Sequence, residues 1–279
     1  MMNNFDIYKL KKAGLSNLNI LNVIRYQESQ FKSLSLRDIA VVSKCKNPVA
    51  FLEAYKQLDS KSLREEFNRF SSLSILDKAY PLALKSIYNP PTLLFYQGNL
   101  SLLDKPKLAV VGSRKCSQVG TKSVQKIITE LGNRFVIVSG LARGIDTAAH
   151  LSSLKNGGAT IAVVGTGLDV NYPKENKALQ DYIASNHLLL SEYGPGEQPL
   201  KFHFPERNRI IAGLSQGIIV AEAKLRSGSL ITCERALEEG RDVFAIPGSI
   251  LDGLSDGCHH LIQEGAKCIT TGFDVLNEY

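Results

Sequence analysis

The chain reads as an α/β protein built on a doubly wound, mostly parallel sheet and preceded by a small all-α domain. Three observations predict this. From residue 107 onward, short runs of Val, Ile and Leu recur without polar alternation, the pattern of strands buried on both faces. Helical stretches separate those runs, which leaves room for crossover connections. Before residue 79 the apolar residues fall at helical spacing instead. With 279 residues, 44% of them hydrophobic, the chain has enough apolar side chains for one large domain and a small one.

Taken in order, the front half of the helical part shows Leu15, Leu18, Leu21 and Ile24, then Leu36, Ile39 and Val42, then Val49, Leu52 and Tyr55. Asn47 followed by Pro48 fits a cap with proline at the first helical position. These residues predict a helical domain over 1–78 with no strand. The stretch 79–92, punctuated by Pro81, Pro90 and Pro91, reads as a connector. Leu93–Tyr96 with Gly98-Asn99 suggests a short strand and turn. The strands that follow are expected at Leu108–Val111, Phe135–Val138, Thr160–Val164, His187–Leu190, Ile218–Ala221, Val243–Ile246 and Lys267–Thr270, which makes 79–279 the second domain.

Several function classes are excluded early. No apolar run approaches the roughly 18–20 residues that cross a bilayer, and the start of the chain lacks the basic and apolar regions of a signal peptide, so a soluble, intracellular protein without membrane contact is expected. Cys45, Cys116, Cys233, Cys258 and Cys268 are odd in number and scattered, which argues against a disulfide framework or zinc ribbon. Cys258-His259-His260 invites a metal reading, but adjacent helical residues point in different directions, so no metal and no cofactor are expected.

The net charge of +6 is unevenly placed. Residues 1–78 hold 13 basic and 8 acidic side chains, 79–229 hold 17 and 10, and 230–279 hold 3 and 9. A basic front and middle favour a polyanion, while the acidic end suits a protein partner or a solvated face.

In a doubly wound sheet, ligands bind beyond the carboxyl ends of the strands. The segments at those ends are Gly112-Ser-Arg-Lys115, Ser139-Gly-Leu-Ala-Arg-Gly144, Gly165 to Lys174, Ser191 to Gly196 leading into Lys201 to Arg209, and 222–229. Ser139-Gly140 turning through Gly144 into a helix forms an anion seat if its N–H groups stay unpaired, with Arg143 standing in it. The same glycines also suit an ordinary turn that relieves strain. Tyr172, Tyr193, Phe202 and Phe204 lie among these segments, flat rings that either stack on bases or pack under their own loops. Basic side chains with aromatic platforms match single-stranded nucleic acid.

Enzyme motifs fail on spacing. Gly112 is followed by Ser113-Arg114, with no GxGxxG and no acidic end to the second strand, as a dinucleotide site needs. Gly120-Thr-Lys-Ser123 lies too far from Gly112 for a P-loop, and there is no Gly-x-Ser-x-Gly elbow. Asp146 and His150 sit four apart on one helix face, either for acid–base work or with Asp146 placed by the helix dipole.

The stretches VGSRKCS at 111–117, SGLARGIDTAAH at 139–150, GTGLDVNYPKEN at 165–176, SEYGPG at 191–196, FPERNRIIAGLS at 204–215 and SGSLITCERALEEGRDVFAIPG at 227–248 together resemble the DNA-processing protein A (DprA/Smf) family of natural transformation. They follow the family's order across most of residues 80–265. The resemblance implies an extended Rossmann-like domain after a sterile-alpha-motif-like one. It implies a cytoplasmic, homodimeric, non-catalytic protein that binds incoming single-stranded DNA, protects it and loads a RecA-type recombinase onto it. With Tyr279 soon after the last expected strand, the winged-helix-like C-terminal domain of many relatives is expected to be absent.

Carried over by position, the family's Gly-Ser-Arg turn falls on Gly112, Ser113 and Arg114, and its basic residue after the third strand on Lys174. The expected DNA-binding set adds Arg143, Gly144, Phe204, Arg207, Asn208, Arg209 and Ser229. In it Gly112 lets backbone approach phosphate, Ser113 and Ser229 supply short donors, and the arginines and Lys174 pair with successive phosphates. Glu222 is expected to orient neighbouring arginines or to cap a turn. Leu254, Cys258, Leu261 and Ile262 share a helical face near Ile269, which either packs on the sheet or self-associates. The resemblance favours association, so His260, Leu261 and Ile269 are expected at a dimer or partner surface. A competing reading is a nucleotide-hydrolysing enzyme of the phosphoribohydrolase (lysine-decarboxylase-like) type, with Glu222 as its carboxylate.

Overall fold

Why the first third is helical is visible at its caps. The computed structural model describes residues 2–30, 33–225 and 227–279, so Arg226 in the run 222–229 lies outside the described residues. Helix α1 (Asn4–Lys12) and helix α3 (Leu36–Val42) each start in a capping box, Asn3 with Asp6 and Ser35 with Asp38. Between them runs α2 (Asn17–Gln30). Helix α4 (Pro48–Gln57) is capped by Asn47 with proline in its first turn, as the sequence predicts, and α5 (Ser60–Phe67) completes the group.

This helical group does not stand apart from the sheet. Ile7, Leu10 and Ile20 are buried in the same apolar cluster as Leu94, Phe95 and Leu190. The Tyr8 ring meets Phe95 edge-on at 5.3 Å, and Arg69 pairs with Asp169 at 2.7 Å. The expectation of no strand within 1–78 does not hold: Ser71–Ser74 form β1, which pairs antiparallel with β2 (Leu93–Gly98). Four residues reading Ser-Ser-Leu-Ser carry no apolar run, so only pairing with β2 defines them as strand. The connector folds as the short helix α6 (Leu82–Lys85).

The main sheet then builds in alternation: β3 (Lys107–Gly112), α7 (Gln118–Leu131), β4 (Val136–Ser139), α8 (Ile145–Lys155), β5 (Thr160–Val164), α9 (Lys177–Asn186) and β6 (Leu188–Ser191). After it come α10 (His203–Leu214), β7 (Gly217–Ala221), α11 (Gly228–Glu238), β8 (Asp242–Ala245), α12 (Asp256–Gln263), β9 (Lys267–Cys268) and α13 (Gly272–Leu276). The order across the nine-stranded sheet is β1-β2-β6-β5-β4-β3-β7-β8-β9, with β2 antiparallel to β6 and all pairs from β6 to β9 parallel. Winding proceeds outward from β3 on one side and from β7 on the other. The two are neighbours, with Gly112 opposite Ala221, so the topological switch point lies at their carboxyl ends.

The acidic end corrects one expectation. Leu261 is 6% exposed and Ile269 1%, both inside the apolar core, and Cys258 is buried as well. The apolar face of α12 packs on the sheet, because a helix returning to an open parallel sheet has that face to bury. His260 alone of the three stays on the surface. Among the described residues, no helix is long and apolar enough to cross a membrane and no cluster of His, Cys, Asp or Glu could hold a metal ion.

Candidate nucleic-acid interface

A cleft of about 650 Å³ opens at the switch point. Gly112, Ser113 and Arg114 form one wall, Phe204 and Asn208 of α10 another, and Lys224 with Ser227 to Ser229 the third. Helical geometry decides which α10 residues face it. Phe204, Asn208 and Ile211 lie four and three apart on one face and line the cleft. Arg209, turned roughly 100° from Asn208, faces away.

At the mouth, the Arg114 guanidinium lies 5.0 Å from the Phe204 ring, which in turn lies 5.4 Å from the Tyr172 ring. A cation over an aromatic beside a second, exposed aromatic offers a charge and a stacking face together. Phe202 is also exposed, but Tyr193 is not a platform: it is buried, stacks on His203 at 3.8 Å and donates its hydroxyl to Glu206 at 2.9 Å.

The Ser139-Gly140 seat is already filled. Asp146 Oδ2 accepts the N–H of Gly140 at 3.1 Å and of Ala142 at 3.3 Å, and the Ile145 N–H goes to Ser113 O. Gly144 takes φ 74, and a Cβ there would run into Ser113 O, so this glycine serves the turn. Burial raises the Asp146 carboxyl against the opposing pull of Arg207 and those two N–H groups. His150 is no acid–base partner for it. Its Nδ1 meets Thr160 Oγ1 at 2.6 Å, and burial, with smaller contributions from Arg207 and His187, pushes its pKa down to about 3. It is a neutral core histidine.

A freer helix end faces the cleft at α11. Ser227 at its cap position makes no side-chain cap bond, and among the described residues its Oγ is buried without a partner. Gly228 has open space where a Cβ would stand. A helix N-terminus of this kind presents N–H groups and a positive dipole end to an anion.

Several expected phosphate partners do other work. Arg207 lines the cleft, as the sequence reading placed it, but it is 4% exposed and donates Nη1 to Val163 O at 2.6 Å. It lies beneath the Gly140 turn because its position on α10 points it into the sheet. Arg209 pairs with the buried Glu192, which also accepts from Asn17 at 2.6 Å and Lys11 at 3.4 Å, so it ties α10 to the helical group. Arg143 is exposed but engaged by Glu175, with Nε to Oε1 at 2.7 Å. Lys174 is exposed outside the cleft. Ser229 donates its hydroxyl to Gly112 O at 2.9 Å, and Asn208 reaches Gly228 O at 3.4 Å. Among the described residues Glu222 bonds no arginine directly; it caps the start of α7 through Ser117 and Gly120.

Lys201 and Lys224, not singled out in the sequence, both line the cleft and are exposed. No pattern marks a single lysine as cleft-facing before the chain is folded. Asp146 and Glu222, the cleft's two carboxylates, are buried and bonded to N–H groups, so the exposed charge is positive.

The family model described as DNA recombination-mediator protein A matches residues 71–279, and that of the DNA processing protein A sterile alpha motif domain matches residues 2–63. The chain is 68% identical over 276 residues to DNA processing protein DprA of Streptococcus pneumoniae, covering 99% of this chain and 98% of that one. It is 48% identical over 210 residues to DprA of Bacillus subtilis, covering 75% and 71%. The X-ray structure of the Streptococcus pneumoniae protein superposes with a TM-score of 0.98 over 100% of this chain and 98% of that one. That of Helicobacter pylori DprA, described for its single-stranded DNA binding mode, gives 0.67 at 32% identity over 75% and 96%.

Proposed function

The chain belongs to the DNA recombination-mediator protein A family, and from that footing we propose that it binds single-stranded DNA across the switch-point cleft and delivers the strand to a RecA-type recombinase. The observation that carries this reading is the grouping of Arg114, Phe204 and Tyr172 at the mouth of a cleft whose exposed charges are Lys201, Lys224 and Arg114. Phosphates are received by these cations, by the Gly112-Ser113 turn and by the start of α11, while an unpaired base stacks on Phe204 or Tyr172. Asn208 stands where it reaches a sugar or base edge. Arg143 and Lys174, outside the inner wall, extend the path. Arg207 and Arg209 support the site from below without touching DNA.

The protein acts as a binding module without catalysis, in the cytoplasm, as a homodimer that presents two clefts to one strand. With Leu261 and Ile269 inside the core, exposed residues such as His260 remain for the dimer contact. The hydrolase alternative has a specific weakness: both oxygens of its best carboxylate, Glu222, are engaged by Ser117 and Gly120. Titrating oligothymidylate and a duplex of equal length at matched salt tests the binding reading. Tighter, salt-sensitive binding of the single strand, without base release from nucleoside monophosphates, is expected; equal affinity for both overturns it. Recombinase assembly on single strands, with and without the protein, tests delivery.

A further inference from the structure

Glu222 is the cleft residue that the binding reading leaves without a task. It directly follows β7 in a left-handed backbone conformation, φ 46, which costs a non-glycine residue on the order of 1 kcal/mol. Its side chain is buried, and the contacts explain what holds it there. Oε2 accepts the Ser117 N–H at 2.7 Å, and Oε1 accepts the Gly120 N–H at 3.1 Å and the Ser117 hydroxyl. The same hydroxyl accepts from Gly120 N–H at 3.0 Å, as the cap of α7. A Cβ at Gly120 would run into the Glu222 carboxyl, so that position is kept open for it.

The place matters more than the bonds. Helix α7 follows the first strand of the switch pair, and in doubly wound folds the helix start beside that crevice is where a nucleotide phosphate is received. Here an internal carboxylate already sits at it. The turn between Gly112 and Ser117 is therefore pinned at both ends, by Gly112 in the β3–β7 pairing and by Ser117 on Glu222. Arg114 rides on that turn.

We propose that Glu222 is a positioning residue for DNA: a built-in anion that closes the α7 start to nucleotide phosphate and locks the turn that carries Arg114 over Phe204. This rests on the single-strand reading above. The chemistry is charge matching, since a fixed carboxylate satisfies the N–H groups and dipole that a phosphate would otherwise take.

The test uses the full chain and its variants Glu222→Ala, Glu222→Gln, Arg114→Ala and the double variant Glu222→Ala with Arg114→Ala, each checked for folding by circular dichroism. Oligothymidylate affinity is expected to fall about tenfold for Glu222→Ala, with the double variant no weaker than about twofold below Arg114→Ala alone, because both changes remove one interaction. Sodium formate, compared with chloride at equal ionic strength, is expected to restore part of the Glu222→Ala affinity. Amide hydrogen exchange at Ser117 and Gly120 is expected to quicken. Additive losses, or unchanged affinity in folded Glu222→Ala, overturn the proposal. If Glu222→Ala does not fold, Glu222→Gln, which keeps the volume and one acceptor, decides by the same cycle. Failure of the unaltered chain to bind oligothymidylate overturns the DNA reading instead, and exchange at those two amides with formate present or absent still decides whether the carboxylate pins the turn.

Discussion

The guanidinium of Arg207 lies against the backbone of Gly140, in the space that a side chain at 140 would need. The turn after β4 and helix α10, far apart in sequence, thus form one support, with Arg207 bonded to Val163 O and Asp146 holding the Gly140 N–H. Gly140→Ala is expected to destabilise the fold by about 2 kcal/mol, since the guanidinium must leave its bond to Val163 O to make way. Denaturant titration of the variant measures it, and DNA affinity is expected to fall with the displaced turn.

Arg114→Ala and Lys224→Ala are each expected to weaken single-strand binding and to flatten its dependence on salt. Each phosphate left without its cation removes about 0.7 from the slope of log affinity against log salt. Anisotropy titrations over a range of salt concentrations read both quantities. By contrast Arg209→Ala is expected to leave the slope unchanged while lowering stability.

Phe204→Ala is expected to cost about 1–3 kcal/mol of single-strand affinity with little change in salt slope, because stacking carries no counterions. Tyr193→Leu, which removes a buried ring, is expected to lower stability and to leave the affinity of the folded protein as it was. Matched titrations of the two separate platform from packing.

Glu192 gives the protein an acid limit. Burial raises its carboxyl, but Lys11, Arg209 and Asn17 together outweigh burial and hold it below the ordinary range. A folded pKa below the unfolded one, near 4.3, gives stability that is present above that pH and lost as pH falls through the folded value. Glu192→Gln is expected to lower stability near neutrality by about 3 kcal/mol, leaving two cations poorly paired, and to flatten the fall below about pH 4.5. Thermal melts across pH check both.

His150 acts earlier on the same scale. Folded it titrates at about 3, so the unfolded chain takes the proton first, near 6.5, and stability falls as pH drops between those values. His150→Asn, which does not titrate there, is expected to remove this part of the slope in the same melts.

A charge at Leu261 or Ile269 is expected to unfold the domain and not to release a folded monomer, because both side chains lie in the core. Circular dichroism of Leu261→Asp, beside sedimentation of a His260→Ala variant, separates core from surface.

The alternation of apolar runs and helical stretches was legible because burial on both faces leaves a composition that needs no partner to read, and six of the seven strands expected from 107 onward lie within a residue of their places. The ordered motifs likewise located the cleft, since glycine-rich turns at strand ends converge wherever the sheet is parallel. The start of α4 was also legible from local capping, in Asn47-Pro48. Tertiary structure decided the rest. Ser71–Ser74 became a strand only against β2. Whether Arg207, Arg209 or Asn208 met solvent depended on rotation about α10, and whether Glu222 faced ligand or N–H groups depended on the α7 start lying within its reach. Such choices are made by packing between separate segments, as where Glu222 meets Ser117 across 105 positions, and no local pattern encodes them.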